Sequence, residues 1–139
     1  MPRVLEDLTI EQDLVVLGAA SLACLDTIAE TSAARVCTSA DYGKLILLSY
    51  AGAVAITLPA DGALAGSQID FLVVGPNTCV PTIAGATANT IITVNNKTTA
   101  DSVTFATGHR IGAYVRVVST GTYWIVVNLG STTMTVTTA

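Results

Sequence analysis

A chain of 139 residues has the length of one domain, with room for a compact unit and an arm. Hydrophobic residues make up 51% of it and charged residues only 12%, about half the roughly 25% usual for a soluble globular domain, so uncharged surface must be covered by partner subunits. The net charge of −4, the single scattering of the six cations (Arg3, Arg35, Lys44, Lys97, Arg110, Arg116) and the breaking of every apolar run short of about 20 residues argue against nucleic acid and against a membrane-spanning helix.

The first 30 residues hold six of the ten acids: Glu6, Asp7, Glu11, Asp13, Asp26 and Glu30. Within them Asp7-Leu8-Thr9-Ile10 returns six positions later as Asp13-Leu14-Val15-Val16, and Ala19-Ala20-Ser21-Leu22 continues the period faintly. In an extended chain Leu8, Ile10, Leu14, Val16 and Leu22 share one face. So short a repeat cannot bury that face alone, so these five residues are the candidate contact with neighbouring copies or other chains. Residues 1–35 are therefore predicted to be an extended arm or short stalk. A competing helical pattern covers residues 22–33, where Leu22, Leu25 and Ile28 fall at helix spacing. The opening Met-Pro-Arg-Val-Leu-Glu-Asp has no basic region followed by an apolar core, which predicts synthesis in the cytosol without export.

From residue 36 onward the chain reads as a β-rich knob. Short runs of Val, Ile, Thr, Tyr and Phe alternate with Gly, Pro, Asn and Asp clusters, predicting strands at Leu45–Ser49, Val54–Leu58, Gln68–Val74, Pro81–Ala84, Thr90–Val94, Ser102–Phe105, Ile111–Ser119 and Tyr123–Asn128. Twenty-one threonines, β-branched and poor in helices, favour the same reading. Val54, Ile56 and Leu58 share a face, with Pro59 ending the strand. Tyr114, Arg116 and Val118 alternate with Ala113, Val115 and Val117, and a hairpin around Ser119-Thr120-Gly121-Thr122 leads to Trp124, the natural core anchor. The threonine-rich tail is expected to be an extended edge strand or to gain order from a partner. Eight strands at about ten-residue spacing define an all-β fold: an N-terminal arm followed by a β-sandwich, jelly-roll-like or small-barrel knob.

Catalysis needs titratable groups brought together, and few are present. His109 is the single histidine, and no nucleophile elbow accompanies it. Cys24, Cys37 and Cys79 lack the two-residue spacing of zinc or redox motifs and are expected to be buried thiols. Asp61, Asp70 and Asp101 are predicted to serve turns, with no calcium-loop or paired-carboxylate spacing. Gly62 and Gly66 precede no lysine and make turns rather than a phosphate loop. Asn96-Lys97-Thr98 matches a glycosylation sequon that has no meaning without export.

The Asp7-Leu8-Thr9-Ile10 and Asp13-Leu14-Val15-Val16-Leu17-Gly18 segments resemble the shaft repeats of tailed-phage fibre and spike proteins, although Gln12 stands where glycine is usual. Ala40-Asp41-Tyr42-Gly43-Lys44, Val54-Ala55-Ile56-Thr57-Leu58-Pro59-Ala60, Gly66-Ser67-Gln68-Ile69-Asp70-Phe71 and Gly121-Thr122-Tyr123-Trp124-Ile125-Val126 are similar, in this order, to the knobs of phage head fibres and capsid decoration (cement) proteins. The resemblance implies a homotrimer on the virion surface, made in the host cytoplasm, bound to the major capsid protein, without enzymatic activity or cofactor. The alternative is a tail-fibre tip or adhesin that binds a host receptor or glycan; Tyr42 and Tyr50, outside the strand runs, are the aromatic residues it would use.

Overall fold

The computed structural model describes residues 25–60, 64–76, 78–93, 98–105 and 111–130, and the backbone of residues 134–137. These residues form β1 (Asp26–Glu30), β2 (Ala34–Val36), β3 (Lys44–Leu48), β4 (Ala53–Thr57), β5 (Gln68–Val73), β6 (Val80–Ala84), β7 (Ile91–Thr93), β8 (Ser102–Phe105), β9 (Tyr114–Ser119), β10 (Trp124–Asn128) and β11 (Met134–Thr137). A 3-10 turn at Ser39–Asp41 is the one helical element among them. The fold is all-β, in two mixed sheets ordered β1-β3-β5-β9-β10-β7 and β11-β8-β6-β4-β2. β11 is an edge strand, as expected of the threonine-rich tail.

The chain changes sheet at every link from β1 to β9, and over its first six strands successive strands of one sheet run parallel: β1, β3 and β5 in one, β2, β4 and β6 in the other. A jelly roll built of antiparallel strands does not have this pairing. Link chemistry accords with the crossing at the first of these links and with the hairpin at the last. Thr31-Ser32-Ala33, between β1 and β2, contains none of the Gly or Asn residues that a tight hairpin needs, and the Ser32 N–H instead donates to Glu30 Oε1 at 3.0 Å. Gly121 supplies a positive φ of 93° between β9 and β10, where the predicted hairpin forms, closed by Thr120 N–H to the Tyr123 carbonyl at 2.9 Å.

Parallel stacking lines up the inward side chains. Ile28, Ile46, Phe71 and Val115 share one register row, and Ile56, Ile83 and Val103 share another on the facing sheet. Together with Trp124 and Phe105 they belong to a single buried cluster enclosed by the two sheets. The alternation predicted for Val54, Ile56 and Leu58, and for Ala113, Val115 and Val117, points these residues inward. Each such side chain contributes roughly 1.5–3 kcal/mol on burial.

β1 and β2 also change the reading of the N-terminal stretch. Residues 26–35, assigned to the arm from sequence, hold β1 and most of β2, which pair with β3 and β4, so the paired strands begin at Asp26. The helical alternative for residues 22–33 is not what forms over 26–30. Ile28 packs against the core and Leu25 is exposed, which places the apolar pattern on a strand rather than along a helix face.

Candidate interaction surface

The two sheets present different outward faces. On the five-stranded sheet most of this face is built of small side chains: Ala34, Ala55, Thr82 and Thr104 lie in one row, with a 3.0 Å hydroxyl bond between Thr82 and Thr104, and Val36 at the β2 edge is a large apolar residue 72% exposed. On the six-stranded sheet the outward positions include large apolar residues beside Thr27, Ala29 and Gln68. Leu47 pairs with Leu72 and Leu72 with Tyr114; Val118 pairs with Ile125 and Ile125 with Ile92. The alternation continues past the strand ends to Val74 and Leu129, which are 47% and 48% exposed, and Ile111 beside them is 54% exposed. Backbone bonds hold these three at one end of the sheet: Gly112 N–H to the Val73 carbonyl at 2.7 Å and Leu129 N–H to the Tyr114 carbonyl at 2.8 Å.

Two opposite charges sit within this face. Asp70 in β5 pairs across the sheet with Arg116 in β9. Arg116 Nε donates to Asp70 Oδ1 at 2.7 Å, its NH2 group donates to Oδ2 at 2.8 Å, and the Tyr114 hydroxyl donates to Oδ2. The bidentate fork is the strong geometry for this pair, and it leaves Asp70 only 2% exposed on the outer side of a sheet. The bond to Asp70 and partial burial push the Tyr114 phenol above its ordinary value, and the same carboxylate raises Arg116.

A second polar group closes the core where β1 and β2 form sheet edges. Arg35 stands in register with Ile56, on the inward side of β2. Its guanidinium donates to Glu30 Oε2 at 2.9 Å and to Asp41 Oδ1 at 2.6 Å. Asp41 also accepts the Thr38 N–H at 2.9 Å, completing a capping box on the 3-10 turn. Burial alone would raise Glu30, but hydrogen bonds from Ser32 and Arg35 outweigh it and hold the carboxyl below its ordinary range. Beside this group burial pushes the Cys37 thiol up to about 12, which keeps it protonated and unreactive at neutral pH.

The structure places the sequence candidates unevenly. Leu8, Ile10, Leu14, Val16 and Leu22 lie outside the described residues, as do Cys24, Asp61, Asn96 and His109. Cys37 and Cys79 are buried, as expected. Asp101 serves a turn, accepting the Asn89 N–H at 2.7 Å. Asp70 does not serve a turn: it stands inside β5, and its partner Arg116 is 46 residues away, a pairing that local spacing cannot reveal. Tyr42 and Tyr50 pack against the core rather than standing free on loops. Val74 and Leu129 escaped notice, although the alternations Leu72/Val74 and Val127/Leu129 carry the signal. No group of three or more His, Cys, Asp or Glu that could hold a metal occurs among the described residues.

Comparison with known proteins finds no matching family model, curated protein or solved structure.

Proposed function

We propose that the chain is a structural virion protein, a capsid decoration or head-fibre module that works as a homotrimer, attaches to the major capsid protein through its N-terminal arm and projects its β body outward. One observation carries the reading. Every charged side chain among the described residues is engaged within the chain: Glu30 and Asp41 with Arg35, Asp26 with Lys44 at 3.3 Å, Asp70 with Arg116, and Asp101 with the Asn89 backbone. Charges used in this way brace a scaffold and are not poised for proton transfer or for steering a charged ligand.

The action is mechanical. Three arms tied to one body bind a shell with an effective concentration that no single arm has, and contacts that exist only on the assembled shell stabilise that state by mass action. The adhesin alternative drew on Tyr42 and Tyr50, and both are half-buried against the core. A density map of the native particle tests the proposal. Density for the β body on the outer shell is the expected result; density confined to the tail tip overturns it in favour of the adhesin.

A further inference from the structure

We infer that residues 26–37 form a strap that opens as a unit while the rest of the two-sheet body stays folded, and that the Arg35 guanidinium, held between Glu30 and Asp41, is the clasp that keeps it shut. The inference stands apart from the virion reading.

Burial comes first. Of the eight residues in β1 and β2 only Glu30 is buried, against four of six in β5 and three of six in β9. β1 ends one sheet and β2 ends the other, so among the described residues each is paired on one side alone. Ile28, half-buried, and Cys37, just past β2, are the apolar side chains that the strap sets against the core. A segment with so few buried apolar contacts opens at a lower free energy than the body it lies on.

The clasp joins three pieces of chain. Arg35 is the one inward side chain of β2, and it donates to Glu30 at the end of β1 and to Asp41 in the 3-10 turn, at 2.9 and 2.6 Å. Its Nε is buried with no hydrogen-bond partner among the described residues, so the two carboxylates alone compensate the guanidinium. Without them the guanidinium regains water only by leaving the interior, and β2 leaves with it. Glu30 carries β1 in the same way, because its bond to Arg35 ties the two strands across Thr31-Ser32-Ala33.

Among the described residues no other charge stands in for these groups. β4 carries no charged residue, Lys44 of β3 pairs with Asp26 at the opposite end of β1, and the Cys37 thiol is the remaining titratable group facing the guanidinium. Burial would raise the Glu30 carboxyl, but the bonds from Ser32 and Arg35 hold it below its ordinary 4.5. The clasp is therefore complete above that value and is lost as pH falls through the lower folded value. Opening frees twelve residues between residue 25 and Thr38, about 40 Å of extended chain.

Hydrogen exchange of the full chain, read by mass spectrometry, tests the inference. Alkylation of Cys37 at fixed pH 8 is a second reporter, and Cys79, buried in the body, is its control. In wild type the amides of residues 26–36 should exchange faster than those of residues 114–119. Glu30→Gln and Arg35→Met should speed exchange at 26–36 and alkylation of Cys37 by roughly ten- to hundredfold, the population change equivalent to losing one hydrogen bond to a charged group. Residues 114–119, Cys79 and the β-sheet spectrum should not change. In wild type the same selective gain should appear as pH falls below 4.5, and Glu30→Gln should blunt it. Equal protection of 26–36 and 114–119 in wild type overturns the inference, as does a variant that speeds both regions alike or neither. Loss of the β-sheet spectrum in either variant would put strap and body in one transition and overturn it too.

Discussion

The Trp124 indole N–H donates to the Pro59 carbonyl at 3.1 Å across 65 residues of sequence, tying β10 of one sheet to the segment that follows β4 in the other. Trp124 is 2% exposed, and the Tyr42 ring leans on it at a centroid distance of 6.4 Å. Trp124→Ala should therefore cost about 3–5 kcal/mol, from lost burial and the cavity left behind. Trp124→Phe should cost less yet leave the Pro59 carbonyl without its donor, a penalty of about 1–3 kcal/mol. Chemical denaturation followed by circular dichroism measures both; a loss under 1 kcal/mol for the alanine variant would contradict this packing.

The Asp70 and Arg116 pair should respond asymmetrically. Removing Arg116 strands a buried carboxylate, whereas removing the carboxylate releases a guanidinium that is already 35% exposed and can turn to water. Arg116→Ala is thus expected to cost about 2–3 kcal/mol, below the roughly 3–5 typical of fully buried pairs because of that exposure, and Asp70→Asn distinctly less. Equal losses in matched denaturation curves would show that the pair is not what holds β5 and β9 together.

Stability should fall on both sides of neutrality, for separate reasons. Glu30 is held below its ordinary 4.5, so its contribution is present above that value and is lost as pH falls through the lower folded value. Cys37, raised from 9.0 to about 12, acts in the opposite sense: its contribution is complete below 9.0 and disappears as pH climbs from there toward 12. Tyr114, also raised, adds to the alkaline loss above its ordinary 10.0. Melting temperatures across the pH range should show Glu30→Gln flattening the acid limb alone and Cys37→Ala flattening the alkaline limb between 9 and 12. The native Cys37 thiol should also resist alkylation at pH 8.

The eight strands predicted from alternation and turn residues all form, within a few residues at their ends, because period-2 patterns and Gly or Pro stops are local signals. Their pairing was not legible. Whether Leu45–Ser49 runs parallel or antiparallel to its neighbour depends on the path of the links, and nothing in Tyr50-Ala51-Gly52 states that the chain crosses to the other sheet. β1 and β2 were missed for a related reason. Five- and three-residue edge strands carry little alternation, and Glu30 and Arg35 occupy inward positions where apolar residues would have given them away. The Asp70 pair and the exposed end at Val74, Ile111 and Leu129 exist only once strands distant in sequence are set side by side.

The division between arm and body makes the last prediction, and the strand pairing sharpens where to cut. Residues 26–30 are hydrogen-bonded to β3, and Glu30 anchors Arg35, so a truncation through residue 30 removes an edge strand and leaves that guanidinium bound to Asp41 alone. A truncation of residues 1–24 removes none of these contacts. The shorter deletion should keep the β-sheet spectrum and melting temperature of the full chain while losing attachment to the particle; the longer one should lower the melting temperature as well. Within residues 1–24, Leu8, Ile10, Leu14, Val16 and Leu22 would each bury a side chain worth roughly 1.5–3 kcal/mol, and three arms acting together multiply the effect. Ile10→Asp and Val16→Asp should accordingly weaken co-sedimentation with shells far more than Thr9→Ala or Gln12→Ala. If the chain lacking residues 1–24 decorates shells as tightly as the full chain, the capsid contact lies in the β body, and the arm loses the role proposed for it.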